Sequence, residues 1–144
     1  MESNKYSQTL LKPPEGAKVI ETEIANFWME EDGTVCSVAK KVRRTLENLA
    51  SYTKSLKHHA AGKKIYYLAD LTNAQTYSRE EKSFLSAELK DLAKAVAVVS
   101  SSPAGKMMSQ VLFMKQNLSF PARQFDSVEK ARAWLAELRA KEKH

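Results

Sequence analysis

Apolar residues along this chain fall into two patterns, short unbroken runs and longer stretches in which they recur at helical spacing. Residues 1–20 fit neither. They are largely polar, with Leu10 and Leu11 the exception, and Pro13-Pro14-Glu15-Gly16 resists both a helix and a central strand, which predicts a flexible arm or edge segment. From Glu21 the pattern becomes strand-like. Thr22 to Met29, with Ile24, Phe27 and Trp28, predicts one strand, and Val35 to Val38 predicts its partner. Asp32-Gly33 between them is a strong hairpin signal, on the expectation that both turn positions take positive φ.

After the basic stretch Lys40-Lys41-Val42-Arg43-Arg44, Thr45 can cap a helix whose apolar positions Leu46, Leu49, Ala50, Thr53, Leu56 and Ala60 repeat at helical spacing, with Gly62 as its stop. Ile65 to Leu71 is apolar on both faces, as a central strand covered above and below requires. Ser78 followed three residues later by Glu81 has capping-box spacing and opens a second helix with Phe84, Leu85, Leu89 and Leu92. Ala95 to Val99 is too short for a helix and reads as a buried strand, with Pro103 in the first turn of a third helix carrying Met107, Met108, Val111, Leu112 and Met114. Phe120 to Phe125 predicts a last strand, and Asp126-Ser127-Val128-Glu129 caps a final helix with Ala131, Trp134, Leu135 and Leu138 on one face.

The element order therefore predicts an α/β protein: a mixed sheet of about five strands, an N-terminal hairpin followed by β-α-β-α-β crossovers, and about four helices. Residues 21–144 are expected to form one domain, with residues 1–20 as its arm. The chain's 144 residues are enough to bury a core without staples, and 43% hydrophobic with 28% charged residues is ordinary globular composition. No stretch has the 18 or so apolar residues of a membrane span. Met1 to Lys5 does not lead into an apolar signal region, so a cytoplasmic address is expected. The single cysteine, Cys36, cannot form an internal disulfide. His58 and His59 are helix neighbours pointing about 100° apart, and His144 is the last residue, so no metal site and no cofactor is expected.

The opening hairpin with Asp32-Gly33, the strand Tyr66-Tyr67-Leu68-Ala69-Asp70-Leu71-Thr72, the helix start at Ser78, the strand Ala95 to Val99 and the closing segment Phe125 to Leu135 fall in an order that resembles the STAS-like superfamily, the small anti-sigma factor antagonist and SEC14-like proteins. The resemblance spans about 120 residues, a whole domain. It implies a STAS-like fold and a non-catalytic module that binds a protein partner or a small ligand, with a regulatory role. The antagonists carry an Asp-Ser-Ser-Gly type sequence at the second helix, where serine is phosphorylated. Here Gln75-Thr76-Tyr77-Ser78-Arg79-Glu80-Glu81 has neither the Asp-Ser pair nor the glycine.

In open α/β sheets ligands gather beyond the carboxyl ends of the strands, which directs attention to Asp70, Thr72 and Asn73 and to Ser100 and Ser102, together with Ser78 and Arg79 at the second helix start. These residues are the expected contact surface for a protein partner or a small anionic or apolar ligand. The alternative is an enzyme or phosphoacceptor that uses Asp70 with Ser100–Ser102 in a strand-end crevice, although no acid, histidine or lysine is placed to assist Asp70. A weaker alternative follows from the net charge of +6 and from Lys40, Lys41, Arg43 and Arg44, a basic surface for nucleic acid, but no aromatic platform accompanies it. A second copy of the chain is a further candidate partner, through the exposed hairpin edge or Leu10 and Leu11.

Overall fold

The structure is a computed structural model that describes residue 6, residues 8–107 and residues 119–142. In chain order its elements are β1 (Ile20–Glu21), β2 (Ala25–Met29), β3 (Val35–Ala39), α1 (Leu46–Ala60), β4 (Ile65–Asp70), α2 (Arg79–Leu92), β5 (Ala93–Val99), a helix α3 seen over 103–107, β6 (Ala122–Phe125) and α4 (Val128–Glu142). The strands form one sheet in the order β1-β2-β3-β4-β5-β6. β1, β2 and β3 pair antiparallel, and β3 to β6 run parallel. The runs at Ile65 and Ala95 therefore lie side by side and point the same way, with Leu68 opposite Ala97 and Asp70 opposite Val99. Of the third helix, Met108, Val111, Leu112 and Met114 lie outside the described residues, as does His144.

Two local expectations are corrected. The sheet has six strands, one more than expected, because Ile20–Glu21, at the end of the polar arm, pairs with the hairpin as a short edge strand, and the strand expected from Thr22 begins only at Ala25. The Thr22 hydroxyl donates to the Ala25 carbonyl at 2.6 Å and accepts the Ala25 N–H at 3.1 Å, closing a tight turn that separates β1 from β2. A hydroxyl does here what glycine or proline usually does in a turn. In the β2–β3 hairpin only Gly33 takes positive φ, at 90°. The Gly33 N–H donates to the Glu30 carbonyl at 2.9 Å and the Glu30 N–H to the Thr34 carbonyl at 2.8 Å, so the loop is a longer one with a single left-handed glycine.

Helix boundaries follow their caps. Thr45 accepts the Asn48 N–H and Asn48 returns the bond to the Thr45 N–H, and Ser78 and Glu81 form the same reciprocal box. α1 ends on Ala61 in the left-handed region, with Gly62 following at φ 82°. α2 passes into β5 with no intervening residue.

Alternation along the strands divides the core in two. One face carries Phe27, Val35, Tyr67, Ala69, Val96 and Val98 and packs under α1 and α2 through Leu49, Leu56, Leu89 and Leu92. The other carries Trp28, Cys36, Val38, Leu68, Ala97 and Val99. That second face is covered partly by α4, through Ala131 and Leu135, and partly by the arm, whose Leu11 is only 2% exposed and whose Ala17 and Val19 pack alongside. Each face thus excludes water from a row of apolar side chains.

Candidate functional site

The strand ends gather most of the residues that the sequence singles out. Asp70, at the last position of β4, is fully buried. Its Oδ1 accepts the Thr72 N–H at 2.9 Å and the Thr72 hydroxyl at 2.6 Å, and its Oδ2 accepts the backbone N–H groups of Leu10 at 2.7 Å and Leu11 at 2.9 Å. Four bonds use the full acceptor capacity of a carboxylate. Thr72 links onward: its hydroxyl accepts the Ser101 N–H at 3.0 Å, and its carbonyl accepts the Ser102 hydroxyl at 3.1 Å. The Ser101 hydroxyl donates to the Gln8 carbonyl.

Beyond β5, Ser102 caps α3 by accepting the Gly105 N–H at 3.0 Å, while the Ser100 hydroxyl donates to the Ser102 carbonyl and accepts the Ser102 N–H, each at 3.1 Å. Gly105 packs directly onto this turn. A Cβ there would overlap the Ser100 hydroxyl and stand 2.8 Å from the Leu71 carbonyl oxygen. The expected crevice is therefore occupied by arm residues 8–11 and by the first turn of α3. Asn73 is half-buried in the following turn, and Ser78 and Arg79 are exposed at the start of α2.

The basic residues do not form one outward patch. Lys41 and Arg43 are exposed, whereas Lys40 and Arg44 turn toward an interior cavity between the sheet and α1–α2. That cavity has a volume of about 50 Å³. Buried side chains, among them Ile24, Leu49, Ala69 and Val98, form its inner wall, and half-buried Ala39, Val42, Tyr77 and Leu85 stand with Lys40 and Arg44 on the solvent side.

Its inner polar groups are three hydroxyls in a chain. Tyr67 lies 2.9 Å from the Ser37 hydroxyl and 2.5 Å from the Tyr52 hydroxyl. Three O–H groups share two links, so whichever way the chain runs one proton is left for another acceptor. Burial pushes the Tyr67 phenol up to about 12 and the Tyr52 phenol well above its ordinary value, so both stay neutral donors at physiological pH. At the mouth the Arg44 guanidinium stands 3.4 Å over the Tyr77 ring centroid, its Nη2 donates to the Gln75 carbonyl at 2.7 Å, and its Nε is 3.4 Å from Glu81 Oε1.

The sequence reading missed this cavity. Its signal was the inward placement of Ser37, Tyr52 and Tyr67, which only the strand and helix registers bring together.

Other reactive groups are held in structural roles. Cys36 is fully buried, and burial raises its thiol far above the ordinary range, which keeps it protonated and inert. Glu30 takes a two-pronged contact from Arg132, one prong at 2.9 Å, and that bond holds its carboxyl below the usual carboxylate range. Among the described residues no group of three or more His, Cys, Asp or Glu is placed to hold a metal ion, and no helix is long and apolar enough to cross a membrane.

Comparison with known proteins agrees with this architecture. The chain is similar to the crystal structure of an uncharacterized protein of the DUF3478 family, with a SpoIIAA-like fold, from Shewanella loihica PV-4: 17% identity, TM-score 0.53, covering 83% of this chain and 92% of that one. At that identity the likeness establishes the fold, which is SpoIIAA-like and agrees with the STAS-like resemblance of the sequence. No curated protein matches. A family model matches residues 27–139, nearly the whole sheet and its helices, and the chain belongs to that family, the domain of unknown function DUF7793.

Proposed function

We infer that this chain is a non-catalytic STAS-like binding module that takes a small ligand in the cavity between its sheet and the pair α1–α2. The observation that carries this reading is the character of the cavity: an apolar interior whose few polar groups are the Ser37–Tyr67–Tyr52 hydroxyls, opening at a rim that includes Lys40, Arg44 and Tyr77. Pockets of this make-up, mostly apolar with a few converging polar groups, are the usual form of small-molecule sites. The interior volume admits only a few water-sized groups, so a ligand enters with its apolar part and moves the Tyr77 ring away from Arg44 at the mouth. Ser78 and Arg79 stand at the start of the helix whose Glu81 lies 3.4 Å from Arg44 Nε, which supports a contact surface that includes them near that mouth.

The alternative reading, chemistry at Asp70, gains no support from its surroundings, because all its lone pairs are engaged and the adjoining space is filled by the arm.

Hexan-1-ol is a suitable probe. Titrated into the protein and followed by methyl NMR, it should shift the Leu85, Leu89, Val96 and Val98 signals saturably, and Ala39→Phe, which fills the mouth, should abolish the effect. Unmoved methyls in the unsubstituted protein would remove the cavity as a ligand site.

A further inference from the structure

We propose that the ligand of this cavity is a small amphipathic carboxylate, its apolar part inside and its single negative charge held by Arg44 at the mouth, in competition with Glu81. The proposal rests on the reading of the cavity as a ligand site and adds the class of molecule it takes.

Three observations lead to it. Among the described residues, the charged ones lining the cavity are Lys40 and Arg44, both cationic, with the carboxylates of Glu21 and Glu81 standing behind them, so an anion in the cavity meets positive groups first. Arg44 is unusual for a rim residue, with a side chain only 6% exposed, and burying a guanidinium is costly unless its N–H groups are bonded. Yet Nε has no hydrogen-bond partner: Glu81 Oε1 is near, at 3.4 Å, but is misaligned and already accepts the Ser78 N–H at 3.0 Å. A buried donor without a partner, on the wall of an apolar cavity, is matched by an oxyanion entering that cavity, because guanidinium and carboxylate pair through parallel N–H···O bonds.

The charge count selects a monoanion. Lys40 is already engaged, donating to the Thr22 carbonyl at 2.6 Å with Glu21 4.0 Å away, and Glu81 stays beside Arg44. A doubly charged head would face Glu81 with too little positive charge to offset it. The apolar wall in turn excludes an ion without a carbon body, since it offers such an ion nothing but desolvation.

The test compares hexanoate with hexan-1-ol, two probes alike in chain length and different in charge, through the same cavity methyls. Hexanoate should bind at least tenfold more tightly. Arg44→Gln should bring the two to similar affinity, and Glu81→Gln, which keeps the helix cap but removes the competing charge, should tighten hexanoate several-fold and leave hexan-1-ol unchanged. The second variant decides the matter if Arg44→Gln proves unstable. Equal binding of the two probes, or a hexanoate affinity indifferent to Glu81→Gln, overturns the carboxylate assignment while leaving the cavity intact. Binding of neither probe overturns the cavity reading itself.

Discussion

The carboxylate of Asp70 accepts the backbone N–H of Leu11 at 2.9 Å across 59 residues of sequence, and this bond, with its neighbour from Leu10, fastens the N-terminal arm over the ends of the parallel strands. Because both oxygens of Asp70 face donors, Asp70→Asn must turn an amide N–H toward another N–H or hydroxyl. Bonds to a charged acceptor each contribute roughly 1.5–3 kcal/mol, so Asp70→Asn should destabilise the fold by about 2–4 kcal/mol in urea titration. Limited proteolysis should also cut residues 8–19 before the domain opens. An arm that stays protected in a destabilised variant would mean that Leu11, rather than Asp70, anchors it.

Gly105 brings the backbone of α3 onto Ser100 and Leu71. Gly105→Ala should lower stability by about 1–3 kcal/mol, the usual cost of overpacking. Adding Ser100→Ala should recover only part of it, since the Leu71 carbonyl remains in the way at 2.8 Å. Differential scanning calorimetry of the single and double variants measures both.

The buried phenols make the fold sensitive to alkali. A tyrosine raised from about 10 unfolded to about 12 folded binds its proton more tightly in the native state, so the stability it contributes is complete below pH 10 and is lost as pH climbs through 12. Urea midpoints should therefore fall between pH 10 and 12, and the fall should be shallower in Tyr67→Phe. The same slope in both proteins would show that Tyr67 is not the group responsible.

Glu30 behaves in the opposite sense. Its folded carboxyl lies below the ordinary 4.5, so its pairing with Arg132 stabilises the protein above that pH and fades as the solution is acidified through the folded value. With Arg132 40% exposed, Arg132→Ala should cost only about 1 kcal/mol at pH 7 and less still at pH 3. Denaturant titrations at the two pH values supply the comparison.

Parts of this structure were legible from residue order because a single local cause produced them. The runs Ile65–Leu71 and Ala95–Val99 are apolar on both faces, which only a covered central strand requires, and Ser78 with Glu81 is a cap readable at its own spacing. The edge strand Ile20–Glu21 was not legible, because two residues at the end of a polar segment are too few to show an alternation. Nor was the fastening of the arm, since Asp70 bonds backbone N–H groups that every residue type except proline possesses. The cavity depends on Ser37, Tyr52, Tyr67 and Tyr77 converging from two strands, a helix and a loop, and Arg44 counted as surface charge until Tyr77 and Glu81 were seen to enclose it.

The tyrosines themselves offer the most direct measurement. Of the five, Tyr52, Tyr67 and Tyr77 line the cavity, whereas Tyr6 and Tyr66 pack with the cluster on the opposite face of the sheet. In protein labelled with 3-fluorotyrosine, fluorine NMR during a hexanoate titration should move the three cavity resonances saturably and leave the other two in place. Five unmoved signals, or shifts confined to Tyr6 and Tyr66, would contradict a ligand site between the sheet and α1–α2.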